Sequence, residues 1–104
     1  MVKIIWTEPA LDDIRSIMEF IAQDSAYYAD MTARGILNAP KRIKKYPLSG
    51  RLVPEFCDAT IREIIHGSYR IIYKTVDKKC FVVAVVQASR EIIRHLSPAD
   101  WNDL

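Results

Sequence analysis

The chain has 104 residues, of which half are hydrophobic and 27% are charged, a composition typical of one globular domain over residues 1–104. Two cysteines without a CxxC or CxxH motif argue against a zinc site, and the absence of a signal peptide and of a membrane-length apolar run predicts a cytoplasmic protein. The net charge of +2 conceals a separation of charge, because residues 7–30 hold six acids and one base whereas residues 41–51 hold five bases and no acid. This separation predicts one basic face, with ordinary solvated helix surfaces as the alternative.

The first half of the chain predicts one strand and a helical hairpin. Residues 2–6 (VKIIW) are β-prone, and Thr7 can cap a helix directly after them. Apolar residues then recur at helical spacing, namely Leu11, Ile14, Met18 and Ile21. Ser25 begins a second helix whose apolar side comprises Met31, Ile36, Leu37 and Ile43. Pro40 lies inside this second pattern, so we expect a kink there or two shorter helices.

The second half predicts three strands and a short last helix. Strands are expected over residues 61–65, Tyr69–Val76 and 80–89, joined by tight turns into an antiparallel meander. Residues 81–86 are apolar without interruption, which predicts a central strand covered on both faces, with the first strand of the chain on its free side. Residues 97–104 (SPADWNDL) begin with a helix-capping pattern. The order β-α-α-β-β-β-α predicts an α+β domain with a helical hairpin packed on a small, mainly antiparallel sheet.

Six short motifs occur in order along the chain: WTEPALDDI, FIAQD, YPLSGR, VPE, IREII and YRIIY. Their order and spacing resemble the RelE/ParE superfamily, the toxins of type II toxin–antitoxin modules, from residue 2 to about residue 90. Two features depart from the family pattern. Pro40 replaces an apolar helix residue, and QASRE follows the last strand where a glycine-containing turn is more usual.

The resemblance implies a growth-inhibiting toxin of the kind found in plasmid stabilization systems, held inactive by an unstable antitoxin from the same operon. ParE-like members poison DNA gyrase, whereas RelE-like members cut mRNA on the ribosome without a metal. The SGRLVPE segment and the lack of a tyrosine near the C-terminus favour the ParE-like branch, and therefore a binding protein rather than an enzyme. A RelE-like endoribonuclease and an inactive interaction module remain open alternatives.

If the chain is a nuclease, the resemblance implies a site that includes Tyr69, Arg70 and Arg90. Arg62 lies on the strand before Arg70 and is expected near it, because guanidinium groups stabilise the charge that develops on a phosphate. His95 is one residue from the position where the family carries a tyrosine, and histidine suits proton transfer near neutral pH.

Each of these residues also has a purely structural interpretation. Arg70 can pair with Glu63 across the strand hairpin, and His95 can be an ordinary surface histidine. Glu55, in the VPE motif, is either a base or a residue that orders its loop.

Further candidates concern partners rather than chemistry. The resemblance implies contact with nucleic acid or with the target for Lys44 and Lys45 on the basic segment, to which we add Arg51. Aromatic anchors for the antitoxin are expected at Tyr27, Tyr28 and Trp101, although Tyr28 can also belong to the core. No cofactor and no metal are expected, and operator DNA is expected to be contacted only through the antitoxin.

Overall fold

The structure, a computed structural model, describes residues 1–89 and 96–104. Its elements in chain order are β1 (Lys3–Trp6), α1 (Glu8–Ala22), α2 (Ala26–Asn38), a 3₁₀ turn (Ala39–Ile43), β2 (Arg51–Leu52), β3 (Ile61–His66), β4 (Tyr69–Val76), β5 (Lys79–Gln87) and a last 3₁₀ turn (Pro98–Trp101). The predicted α+β order is confirmed with one addition. Strand β2 has only two residues, too few to show an alternating pattern in the sequence.

The five strands form one sheet in the order β1-β5-β4-β3-β2. Strand β1 runs parallel to β5, and all the other neighbouring pairs are antiparallel. The prediction that the last long strand is interior, with β1 on its free side, is confirmed. A register shift opposite Ile72 and Tyr73 inserts Val83 into β5 as an extra residue.

Side chains at the helix ends fix the hairpin to the sheet. The Thr7 hydroxyl accepts a bond from the Ala10 amide and donates one to the Val82 carbonyl at 2.8 Å, so the start of α1 is tied to β5. Ser25 caps α2 as predicted. The expected break at Pro40 takes the form of two shorter helices, because α2 ends at Asn38 and the buried Pro40 lies in the 3₁₀ turn that follows.

Apolar residues cover both faces of the sheet. On the face under the helices, which we call the helical face, Ile14 and Ile36 pack against Ile71 and Val82. On the opposite face, which we call the outer face, a second cluster comprises Val53, Phe56, Ile61, Ile72, Val83, Ala84 and Trp101. This two-sided burial explains why β5 lacks a polar side.

The second helix turns fewer residues toward the sheet than its sequence predicts. Ala29, Ala33 and Ile36 are buried, but Met31 and Leu37 are exposed, so their assignment to the apolar side was wrong. The helix packs on the sheet through two alanines and Ile36, and the side chains of Met31 and Leu37 lie outside this contact. Among the described residues, no helix has the length and apolar character needed to cross a membrane.

Candidate functional site

A network of four charged residues lies on the outer face of the sheet. Arg70, on β4, donates from Nε to Glu63 Oε1 at 2.7 Å. Its two terminal nitrogens donate to the two carboxylate oxygens of Glu55 at 2.8 and 2.7 Å. Arg51 pairs with the second oxygen of Glu63. We call these residues (Arg51, Glu55, Glu63 and Arg70) the outer-face network.

The strand register explains how the network forms. Glu63 lies opposite Ile72, which is two residues from Arg70, so both charged side chains project from the same face. Glu55 comes from the loop after β2, which is held by the packing of Val53 and Phe56 on the outer face. The strand hairpin therefore brings Glu63 and Arg70 together, and the loop after β2 adds the carboxylate of Glu55.

The two central members of the network are almost completely removed from solvent. The side chain of Arg70 is 5% exposed and that of Glu63 is 0% exposed. The bidentate bond with Glu55, followed by the interaction with Glu63, raises the pKa of Arg70 despite its burial. The pairing of Arg70 with Glu63 that the sequence predicts is thus present, and two positive charges are balanced by two negative ones.

The other described residues of the predicted nuclease site lie on the opposite face. Arg62 is paired with Tyr73 across the hairpin, so its side chain starts from the helical face, and its guanidinium donates to the carbonyls of Ala59, Leu48 and Gly50. The expectation that Arg62 lies near Arg70 was wrong, because the strand register places their side chains on opposite faces of the sheet. Tyr69 is half-buried against the helical-face cluster. Arg90 and His95 lie outside the described residues.

The predicted basic residues are exposed in the turn that follows α2 and on β2. The exposed members of this basic turn are Lys41, Arg42, Lys44 and Lys45, with Arg51 on the neighbouring strand. The ammonium of Lys45 lies 5.7 Å from the centre of the exposed Tyr46 ring. Nothing acidic interrupts residues 41–51. This segment is therefore a positively charged surface that carries an accessible aromatic ring.

Exposed apolar side chains lie near the bend of the helical hairpin. Tyr27 and Tyr28 are 68% and 65% exposed, and their rings meet edge to face with centroids 5.6 Å apart. Phe20, in the last turn of α1, and Met31, one turn after Tyr27, are also exposed. We call these residues (Phe20, Tyr27, Tyr28 and Met31) the hairpin patch. These four exposed apolar side chains are a candidate contact surface for a protein partner.

Neither Phe20 nor Met31 was predicted as a partner contact, whereas Trp101 was predicted as one and is buried. Phe20 lies roughly 120° around α1 from the buried Ile14, so its helical position could have marked it as exposed. Trp101 is 8% exposed and packs edge to face on Phe56 at 5.9 Å. It belongs to the outer-face core, and it is not an exposed anchor in the free chain. The described residues contain no group of three or more His, Cys, Asp or Glu side chains that could hold a metal ion.

A family model for the ParE toxin of type II toxin–antitoxin systems, parDE, matches residues 4–92 of the chain. The chain belongs to this family. It is 32% identical over 91 residues to "Toxin RelE2" of Caulobacter vibrioides (strain ATCC 19089 / CIP 103742 / CB 15), across 86% of the chain and 99% of that protein. Its fold is similar to a chain of the structure titled "Chromosomal ParDE TA system from P. aeruginosa", with a TM-score of 0.70 at 14% identity over 86% of this chain and 98% of that one.

The ParE-family match includes the surfaces described above. The outer-face network, the basic turn and the hairpin patch all lie within residues 4–92, whereas Trp101 lies beyond them. The fold, a helical hairpin on a five-stranded mixed sheet, is the RelE/ParE-like fold. Family and fold are therefore established together, and the choice of target is a separate question.

Proposed function

We propose that this ParE-family chain is the toxin of a type II toxin–antitoxin module, that it stops growth by binding DNA gyrase in the cytoplasm, and that an antitoxin encoded beside it neutralises it. The names of its relatives, a toxin and a ParDE system, support the module. The proposal that the chain binds gyrase and does not cleave RNA rests on the ion pairs that Arg70 forms with Glu55 and Glu63.

The state of Arg70 supports binding rather than phosphodiester cleavage. An arginine that stabilises a transition-state phosphate must present its donors to that phosphate, and here three donors are engaged by Glu55 and Glu63. Breaking a buried pair by removal of one partner typically costs about 3–5 kcal/mol, so releasing Arg70 for RNA would be expensive. Arg62 donates to backbone carbonyls on the other face and offers no substitute.

The remaining surfaces suit two protein partners. Exposed Tyr27 and Tyr28 resemble the aromatic anchors that dominate protein interfaces, and we assign the hairpin patch to the antitoxin. The basic turn, with Lys44 and Lys45 exposed, is assigned to the target, because gyrase binding needs charge and shape complementarity and no general base. A RelE-like nuclease is the second candidate, and the 32% identity to "Toxin RelE2" supports it.

The two activities can be separated with purified protein. We expect inhibition of gyrase supercoiling on relaxed plasmid and intact mRNA on programmed ribosomes. Lys44→Glu/Lys45→Glu should weaken the inhibition, whereas Arg15→Glu, on the exposed side of α1 and outside the basic turn, should leave it unchanged. The opposite outcome is mRNA cleavage at fixed codon positions that is lost in Arg70→Lys, a variant that keeps the positive charge. That result would identify the ribosome, and not gyrase, as the target.

Growth assays test the module itself. Expression of the chain alone should arrest a bacterial culture, and co-expression of the antitoxin from the adjacent reading frame should restore growth. Tyr27→Ala/Tyr28→Ala should weaken antitoxin binding by about 2 kcal/mol or more, whereas Tyr27→Phe keeps the ring and should have a small effect. Normal growth with confirmed expression of the chain alone would contradict the proposal.

A further inference from the structure

Glu55 lies in a tight turn that covers part of the outer face. The Phe56 amide donates to the Val53 carbonyl at 3.1 Å, which closes a β-turn with Pro54 and Glu55 as its central residues. Proline suits the first central position because its ring fixes φ at about −65°. Val53 and Phe56 are both buried in the outer-face core, so the two ends of the turn are anchored there. Packing therefore sets the position of the Glu55 backbone.

The carboxylate of Glu55 fills the donor fork of a buried arginine. Nη1 of Arg70 donates to one carboxylate oxygen at 2.8 Å, and Nη2 donates to the other at 2.7 Å. Guanidinium groups use this pair of parallel bonds to bind phosphate as well as carboxylate. The volume that the carboxylate takes up at Arg70 therefore suits two oxygens of a phosphate group.

The rest of the network leaves an excess of positive charge at the fork. Glu63 accepts a bond from Arg70 Nε through one oxygen and pairs with Arg51 through the other. Two guanidinium groups thus share one carboxylate, and Glu55 supplies the second negative charge. If Glu55 lost its charge, one positive charge of the network would be uncompensated in a site shielded from water. Such a charge attracts an anion more strongly than an exposed lysine does.

Glu55 is also the member of the pair that is closer to solvent. Its side chain is 21% exposed, whereas that of Arg70 is 5% exposed. A substitution that shortens Glu55 should open the fork to solvent, while Glu63 continues to hold the Nε side of the guanidinium. The orientation of Arg70 would then be kept by the strands, because Glu63 and Arg70 lie on β3 and β4.

We infer that Glu55 is a built-in plug of an oxyanion site, in that its carboxylate takes the place of a phosphate group at Arg70 and keeps phosphodiesters out. The plug deepens the proposed function and rests on it, because it names the residue that prevents the chain from acting on nucleic acid through Arg70. An ion pair with a purely structural role would contribute stability only, and its removal would create no affinity for phosphate.

Thermal unfolding at pH 7 tests the plug, with inorganic phosphate as the probe and chloride at matched ionic strength as the reference. Glu55→Ala should melt below the unaltered chain in chloride. A phosphate concentration of about 50 mM should raise its melting temperature by about 5 °C more than it raises that of the unaltered chain. The unaltered chain corrects for the general stabilisation by phosphate as an excluded salt. Glu19→Ala, which removes the same charge from the exposed side of α1, should respond like the unaltered chain.

Two further variants keep the test decisive if Glu55→Ala folds poorly. Glu55→Gln keeps the length of the side chain without its charge, and it should show a phosphate-specific shift in the same direction and of smaller size. Glu55→Gln/Arg70→Lys keeps the positive charge without the fork and should lose that shift. In heteronuclear NMR spectra, the Nε–H signal of Arg70 should move with phosphate in Glu55→Gln and stay in place in the unaltered chain.

The outcomes separate the plug from the proposed function. A phosphate response of Glu55→Ala and Glu55→Gln no larger than that of the unaltered chain would overturn the plug. A specific response that survives Arg70→Lys would overturn it as well, because the anion would then bind elsewhere. Failure of the unaltered chain to inhibit gyrase supercoiling would overturn the proposed function, whatever phosphate does to the variants. Movement of the Arg70 signal in the unaltered chain would show that Glu55 does not exclude phosphate.

Discussion

At the scale of single residues, the buried ion pairs of Arg70 should contribute more to the free energy of unfolding than an exposed ion pair does. Arg70→Ala would leave Glu63 buried with Arg51 as its remaining charged partner, so we expect unfolding to become easier by about 3–5 kcal/mol in urea titrations. Arg15→Ala removes an exposed pair with Asp12 and should cost less than about 1 kcal/mol. Equal losses in the two variants would contradict a structural role for Arg70.

Asp13 is a second residue whose role is set by burial. Its carboxylate, on α1, accepts a bond from the Val85 amide at 2.9 Å just after the bulge in β5. Desolvation by burial raises the pKa of Asp13 above its ordinary value, and the bond from Val85 offsets part of that shift. The ionised form is therefore unfavourable in the folded state relative to a neutral acceptor.

Asp13→Asn keeps an acceptor for Val85 and removes the charge, so at pH 7 we expect stability equal to or above that of the unaltered chain. Because the folded pKa is raised, any advantage of the asparagine is present when Asp13 is ionised and is lost as pH falls through that pKa toward about 4. Asp13→Ala leaves the Val85 amide unpaired and should cost about 1–3 kcal/mol. Urea titrations at several pH values measure the stability of the unaltered chain and of both variants. An advantage of Asp13→Asn that grows toward acid pH would contradict a raised pKa for Asp13.

At the scale of elements, Gly35 and Gly50 allow close contacts between neighbouring segments. In the sequence, Gly35 only weakens a helix and Gly50 only marks a turn. A Cβ on Gly35 of α2 would lie 2.4 Å from His66 Nε2, at the far end of a side chain that can move. A Cβ on Gly50 would lie 2.4 Å from the Tyr73 hydroxyl and 2.9 Å from the Glu63 carbonyl. Tyr73 is completely buried, and the carbonyl belongs to β3, so neither can give way.

The same substitution should therefore have different effects at the two positions. Gly35→Ala gains about 1 kcal/mol of helix propensity and loses a similar amount when His66 changes rotamer, so the net change should be small. Gly50→Ala forces backbone movement and should cost about 1–3 kcal/mol. Thermal unfolding of both variants decides the matter, and a Gly35→Ala variant that is the less stable of the two would show that His66 is fixed.

At the scale of the whole molecule, the separation of charge predicts how partners approach. Residues 7–30 hold six acids and one base, and residues 41–51 hold five bases and no acid, so an acidic partner should be steered to the basic segment. The association rate with the antitoxin should fall steeply between low and high salt in stopped-flow measurements. Lys44→Gln/Lys45→Gln should reduce both the rate and its salt dependence, whereas Arg15→Gln, within the acidic segment, should change both less. An association rate independent of salt would exclude steering.

Much of the fold could be predicted because its signals are local. Local side-chain chemistry and hydrophobic period decide the conformation of four features: the caps at Thr7 and Ser25, the break at Pro40 and the apolar run of β5. Each of these signals lies within one or two helical turns or along one strand. The pairing of Arg70 with Glu63 was also within reach, because a tight hairpin fixes which side chains are neighbours.

Tertiary structure alone decided the contacts that join distant segments. Glu55 reaches Arg70 only because a loop folds over the outer face, and Trp101 is buried only because the same cluster has room for it. Arg62 and Arg70 are separated because strand register assigns them to opposite faces, and a register error of one residue reverses such an assignment. The sequence by itself determined the longer helices and strands and the family, since these depend on local pattern and order, whereas the two-residue strand β2 was not predicted. Which charges are buried and which remain available to a partner depended on packing between segments, which no local pattern encodes.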